Sequence, residues 1–252
     1  HIFAAQALLF RSIPGGLFEL MSDWARGYSG LHLPVFNVFI PRKPAGLTDD
    51  TLADTAAFFS SRNALYAVEL MPDFVPKGAD FLYERRYNAL PPQPALVLPN
   101  NELNVVRSNP AVTVAPVRTV PEITAFCSLQ HQVFDFDLQD MLKRFPVTQL
   151  QYEKIVHFLA FLQDEPVGTA TVICADGVAS IWHVGTVDAH RGCGVATTLM
   201  GYVLNEANKQ GCRSSLLFST AQAYKFFAKM GFEIFSQRQW FLPENIEYVD
   251  DP

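Results

Sequence analysis

The sequence predicts an α+β fold, a mixed central sheet flanked by helices, on three observations. Short apolar strand patterns and amphipathic helix patterns follow one another along the whole 252-residue chain. In the second half they run β-α-β-β-β-α-β-α-β. The middle strands are joined by tight turns, Asp164-Glu165-Pro166 and Ala175-Asp176-Gly177, that suit hairpins. Last, the strand Val178–Val187 feeds a helix through a turn holding Gly192 and Gly194.

Taken in order, residues 1–26 read as helical through Leu8, Leu9, Leu17, Leu20 and Met21, interrupted at Pro14-Gly15-Gly16. Val35–Ile40 reads as a short strand. A helix opens at Thr48 or Asp49 as N-cap and runs to about Ser61. Ala64–Leu70 follows as a strand and Asp80–Asn88 as a helix. After the break at Leu90–Pro94 comes the short strand Ala95–Leu98. Residues 99–111, with Pro99, Asn100, Asn101, Ser108, Asn109 and Pro110, form the expected linker. It divides a leading unit, 1–105, from a trailing unit, 112–252. The trailing unit opens with the strand Val112–Val117 and one or two helices between Val120 and Phe145. Strands His157–Gln163, Val167–Cys174 and Val178–Val187 follow. A helix then runs from Gly194 to Lys209, with Gly211 as its stop. The strand Arg213–Phe218, the helix Ala221–Met230 and the strand Phe232–Phe241 complete the pattern.

Composition narrows the function. With 49% hydrophobic and 17% charged residues, the chain can bury a sizeable core. A net charge of −6 and the lack of a Lys/Arg-rich run argue against a nucleic-acid partner. No apolar run approaches the roughly 20 residues of a membrane span. Ile2–Phe10 contains Gln6 and lacks the basic start of a secretory signal, so no membrane partner is expected. Cys127, Cys174, Cys193 and Cys212 form neither a CxxC pair nor a disulfide framework. The expectation is a metal-free protein in a reducing, cytoplasmic setting.

The chemistry concentrates in the turn after Val187. Gly192 and Gly194 carry no side chain, so an anion can approach the backbone closely. The first amides of the following helix have no partner within it, and the helix dipole favours negative charge there. Arg191 adds a cation at the edge. Together these make a pyrophosphate cradle. No Gly-Lys-Ser/Thr and no GxGxxG is present, which sets aside the common nucleotide loops.

The run Arg191-Gly192-Cys193-Gly194-Val195-Ala196, placed after a strand that follows a hairpin, resembles motif A of the GNAT acetyltransferases. Leu216-Leu217-Phe218-Ser219, the later Phe227-Ala228-Lys229-Met230-Gly231-Phe232 and the hairpin Asp164–Gly168 extend the likeness over about 112–252. Pro34-Val35-Phe36-Asn37 and the helix–strand pattern around it resemble the degenerate leading half of two-part GNAT proteins. The resemblance implies a GNAT fold in tandem with a degenerate N-terminal copy. It also implies acetyl-CoA as cosubstrate, no metal, and a monomer or homodimer. The reaction implied is acetyl transfer to the amine of a small-molecule or peptide acceptor. Thr186 and Val187 are then expected to pair with pantetheine. The backbone of Gly192, Cys193, Gly194, Val195, Ala196 and Thr197, beside Arg191, is expected to hold the pyrophosphate.

One departure bears on catalysis. The position where such enzymes commonly carry a proton-donating tyrosine holds Phe227, which can contact the cosubstrate but cannot donate a proton. The candidate catalytic residues are Tyr224, one helical turn earlier, and His183 on the strand before the motif. A strand histidine has an equally simple reading as a structural residue. Asp135, Asp137 and Asp140 either face the acceptor or form a solvated helix surface. Two functions therefore stand side by side: an N-acetyltransferase, and a CoA-binding sensor or scaffold whose chemistry has decayed.

Overall fold

Residues 2–99, 102–104 and 108–246 are described by a computed structural model. Asn100 and Asn101 of the expected linker lie outside the described residues. The leading half contains α1 (Ile2–Arg11), β1 (Leu17–Leu20), β2 (Trp24–Tyr28), β3 (Val38–Pro41), α2 (Asp49–Ser60), β4 (Ala67–Leu70), α3 (Gly78–Tyr83), β5 (Tyr87–Ala89) and β6 (Gln93–Leu98). The trailing half contains β7 (Val112–Pro116), α4 (Val120–Phe134), α5 (Leu138–Arg144), β8 (Ile155–Leu162), β9 (Glu165–Ala175), β10 (Val178–Thr186), α6 (Val195–Lys209), β11 (Ser214–Phe218), α7 (Ala221–Lys229) and β12 (Glu233–Pro243).

Local chemistry sets the helix starts. Thr48 caps α2 by accepting from the Thr51 amide at 3.2 Å, and Thr119 caps α4 in a reciprocal box with Glu122. The helical reading fails beyond Arg11. Leu17–Leu20 pairs with β2 instead, burying Phe18 while Glu19 meets Arg26 at 2.7 Å. Alternation across a sheet decided that segment, not helical spacing. The helix expected to reach Asn88 stops at Tyr83, since Arg86 takes a left-handed φ of 61° and the chain leaves as β5. In 35–40, Pro34 starts a short 3₁₀ turn, and the strand begins only at Val38.

The described strands form one sheet in the order β1-β2-β3-β4-β12-β6-β11-β10-β9-β8-β7, with β5 on the outer part of β12. β3–β4 and β10–β11 are parallel and the other pairs antiparallel, so the sheet is mixed as expected. The halves interlock. β6, from before the linker, lies between β11 and β12, and β12 joins β6 to β4 and β5. Helix α1 also crosses over, with Ala5 and Leu9 packing on Ile155 and Ile173 of β8 and β9. The largest core cluster lies between the trailing strands and α4, α5 and α6, around Phe126, Phe158 and Leu199.

Candidate active site

The site starts from a strand that loses its neighbour. β10 runs parallel to β11 from Val178↔Ser214 to Ile181↔Leu217, and the pairing ends there. On its other edge β10 stays on β9, with a bulge between Trp182 and Gly185. His183 forms the bulge with φ 57°. Its carbonyl accepts from the Thr169 hydroxyl at 3.0 Å and from Gln130 Nε2 at 3.4 Å, and Gln130 also bonds Thr169 at 2.6 Å. A Cβ at Gly185 would lie 2.6 Å from Val133 and 3.0 Å from Phe134, so α4 presses directly on the bulge. The result is a strand held firmly on one edge and open along the other from residue 182 onward.

The glycine-rich turn lies at the end of that strand. Gly192 and Gly194 both take φ near 79°, and Gly194 caps α6 without a side chain. Among the described residues, no acceptor meets the amides of Gly192, Gly194, Val195, Ala196 or Thr197; the first helical bond is Thr198 to Gly194 at 3.0 Å. Arg191 is held at the rim by Asp188, 2.8 Å away, and reaches the Thr186 carbonyl at 3.4 Å. Asn109 ties the turn down from the linker, donating to the Cys193 carbonyl at 2.7 Å while its own amide meets Thr198 at 2.9 Å. The pattern of the motif gave no signal for Asn109, Gln130 or Thr169, because their roles are set by tertiary contact.

Several expected residues are brought to this place and others are reassigned. Thr186 lies on the open stretch of β10. Val187 does not offer a free backbone: its amide donates to Val167 at 3.0 Å and its carbonyl accepts from His190 at 2.9 Å, so the strand ladder and the turn use both groups. The side chain of Val195 is buried against Gly168, leaving its amide as its contribution. Phe227 is buried beside Phe232, with ring centroids 5.7 Å apart. Tyr224, one turn earlier, is half-buried against the main core. Of the three aspartates, Asp135 ends α4, Asp137 caps α5 through the Asp140 amide at 3.0 Å, and Asp140 pairs with Lys143; these roles are structural.

His183 is half-buried. Its ring meets Phe145 edge-on at 4.9 Å, and its Nδ1 has no partner. Burial, then the charge of Arg144, then His157 hold its pKa well below the ordinary 6.5, so the imidazole is neutral and a weak base. His157 is pushed down to about 3 by burial and by Arg144. Its ring nitrogens are satisfied by Thr171 and Gln149, each at 2.9 Å. Arg144 itself is lowered to about 10 by burial alone. On the far side of Trp182, Arg238 stacks 3.7 Å from the Phe218 centroid and faces Glu69, whose carboxyl is raised by burial against the opposing pull of Arg238 and Gln6.

The site thus joins a strand that parts from its neighbour to a glycine-capped helix N-terminus, in a mixed sheet covered by helices. Solved structures share this fold over nearly the whole chain. A GCN5-related N-acetyltransferase from Kribbella flavida superposes with a TM-score of 0.75 at 20% identity, covering 96% of this chain and 94% of that one. One from Sphaerobacter thermophilus gives 0.65 at 14% identity, covering 92% and 84%. A tandem GNAT protein from the clavulanic acid biosynthesis pathway gives 0.62 at 13%, covering 90% and 80%. At these identities the likeness establishes the fold. No curated protein matches. Residues 124–232 match the acetyltransferase (GNAT) family. Those residues thus carry a GNAT-family acetyltransferase domain, within a chain whose fold is shared with GNAT structures over nearly its whole length.

Proposed function

We propose that the protein transfers an acetyl group from acetyl-CoA to the amine of a small-molecule or peptide acceptor. The observation that carries this is the joining of the open edge of β10 to a turn whose amides at Gly192, Gly194, Val195, Ala196 and Thr197 have no acceptor among the described residues. The donor set fits a pyrophosphate, with Arg191 at the rim and open space over Gly192. Acetyl-CoA supplies a thioester carbon for attack. The deprotonated amine nitrogen forms a bond to that carbon, the C–S bond breaks, and the sulfur leaves with a proton as free thiol. An ammonium acceptor thus releases one net proton. Tyr224 is the proton donor this reading retains, because Phe227 lacks a hydroxyl. The neutral His183 holds the bulge and leaves deprotonation to water.

In this reading 112–252 carries the acyl chemistry, and 1–105 supplies a degenerate partner that contributes β6 and the cover of α1. Cys127, Cys174, Cys193 and Cys212 form no disulfide, which fits a reducing, cytoplasmic location. Among the described residues, no helix is long and apolar enough to cross a membrane and no group of side chains is suited to a metal.

Phe227 favours a second reading, a sensor that binds CoA without turnover. Calorimetric titration of acetyl-CoA, run beside a free-thiol assay over a panel of amines, separates the two. Micromolar binding with amine-dependent thiol release supports the enzyme. Binding without release across the panel supports the sensor, and no binding removes both.

A further inference from the structure

Among the described residues, six of the eight buried side-chain polar atoms left without partners, all but Gln130 Oε1 and Thr186 Oγ1, lie along one chain of contacts. Gln6 on α1 donates to the Glu69 carboxylate at 3.3 Å, with its own Oε1 unmet. Glu69 faces Arg238, whose Nε is unmet and whose guanidinium lies 5.8 Å from the Trp182 centroid. Trp182 Nε1 and the adjoining His183 Nδ1 are unmet as well. His183 leads to Phe145 and the neighbouring Arg144, and Arg144 lies 5.9 Å from the Phe10 centroid. Phe10 is one helical turn from Gln6, on the same face of α1, so the ring closes there. Two of its members, Trp182 and His183, directly follow Ile181, the last residue of β10 paired with β11.

Within this ring Arg144 is exceptional. It is 5% exposed, and its Nε and Nη1 are buried without a partner. Among the described residues no acceptor meets any of its nitrogens and no carboxylate pairs with it. Around it stand the faces of Phe36 and Phe10, and its charge acts on the neutral histidines His157 and His183. An unpaired buried cation is among the most costly arrangements a fold can keep, and water alone compensates it poorly. By contrast, Arg238 already has Glu69 opposite and Gln93 bonded to it.

We propose that this ring is the acceptor site and that the acceptor is an amine bearing a carboxylate, which Arg144 receives. One guanidinium with a free planar edge matches one carboxylate, whereas a phosphate dianion calls for a second free cation. The amine end then lies toward Trp182 and the open edge of β10. This rests on the acetyl-transfer reading above and adds the chemical class of its acceptor.

The test is a free-thiol assay with acetyl-CoA over matched pairs, each an amino acid or aminobenzoate and its carboxamide, on the wild type and on Arg144→Met. The expected result is that at least one acid outruns its amide by about 100-fold in kcat/KM, since losing a charge-assisted pair costs on that order. Arg144→Met is expected to bring that ratio close to one. It should leave acetyl-CoA affinity unchanged by calorimetry and give a melting temperature equal to or above wild type, because an uncompensated charge has gone. Amides as good as acids throughout the panel overturn the proposal. So does a variant that keeps the preference, or one that melts lower with the ratio unmoved, since Arg144 is then a structural cation. Failure of acetyl-CoA to bind the wild type is a failure of the underlying reading, and the calorimetry registers it separately.

Discussion

Gly194 has a left-handed φ of 79°, and a Cβ there would lie 3.1 Å from the Cβ of Asn109. Gly194→Glu therefore adds backbone strain of about 1–2 kcal/mol and sets a carboxylate where the helix dipole and free amides favour an anion. The expected outcome is a folded protein by circular dichroism with acetyl-CoA affinity reduced at least ~100-fold in calorimetry, as a like charge displaces the pyrophosphate. Unchanged affinity contradicts the cradle. A second residue-scale effect comes from the two neutral histidines. Unfolded histidines take up a proton below their ordinary 6.5, while folded His157 stays neutral down to about 3 and His183 stays neutral well below 6.5. The unfolded state therefore binds more protons in that window. Their contribution is fully present above pH 6.5 and is lost as pH falls, at roughly 1.4 kcal/mol per pH unit for each group. Glu69 acts the other way, since its folded pKa is raised, but one carboxyl opposes two imidazoles. Denaturant melts between pH 6.5 and 5 should show stability falling with acid, and His157→Gln, which retains a hydrogen-bonding side chain, should reduce the slope by about half.

At the scale of elements, the bulge in β10 is where sequence and tertiary contact divide the work. The glycines of the turn, the hairpins and the capping threonines are local devices. They were legible because the rule for each spans only a few residues. The bulge is not local: it depends on Gln130 of α4 and Thr169 of β9 meeting one carbonyl of β10. Nothing in residues 178–187 announces those partners, so His183 read as an ordinary alternating strand residue, and Val187 as a free one. The misread helix over Leu17–Leu20 has the same cause, since the partner strand β2 supplies what local spacing cannot. Gly185 is the exception, a single residue that records the close passage of α4. Gly185→Ala places a methyl 2.6 Å from Val133, and overpacking of this kind costs about 1–3 kcal/mol. The expected result is a lower melting temperature together with weaker acetyl-CoA binding, since relief of the clash moves β10. A drop in melting temperature with unchanged binding shows that α4 supports the core without positioning the strand.

For the whole molecule, the linker at 99–111 is easy to see in the sequence, yet the sheet passes across it. β11 has β10 on one edge and β6 on the other, and β6 comes from residues before the linker. β12 in turn depends on β4, β5 and β6, all from the leading half. Cut at the linker, the trailing half loses the strand that seats β11 beside β12, and both expose unpaired backbone along apolar strands. That is the condition in which sheets aggregate. The leading half loses β12, which joins β4 to β6 and whose Phe241 fills the core of α2 and α3. Neither half then has a complete core, even though each has a full set of local signals. Residues 112–252 produced alone are therefore expected to be insoluble or to melt without a cooperative transition. Co-production with residues 1–111 is expected to return a soluble complex that binds acetyl-CoA like the intact chain. If the trailing half alone is soluble, melts cooperatively and binds acetyl-CoA with full affinity, the strand exchange is dispensable and the acyltransferase is complete after the linker. If only the complex binds, the leading half is part of the site's construction, through the strand it inserts and the helix α1 that it lays across β8 and β9.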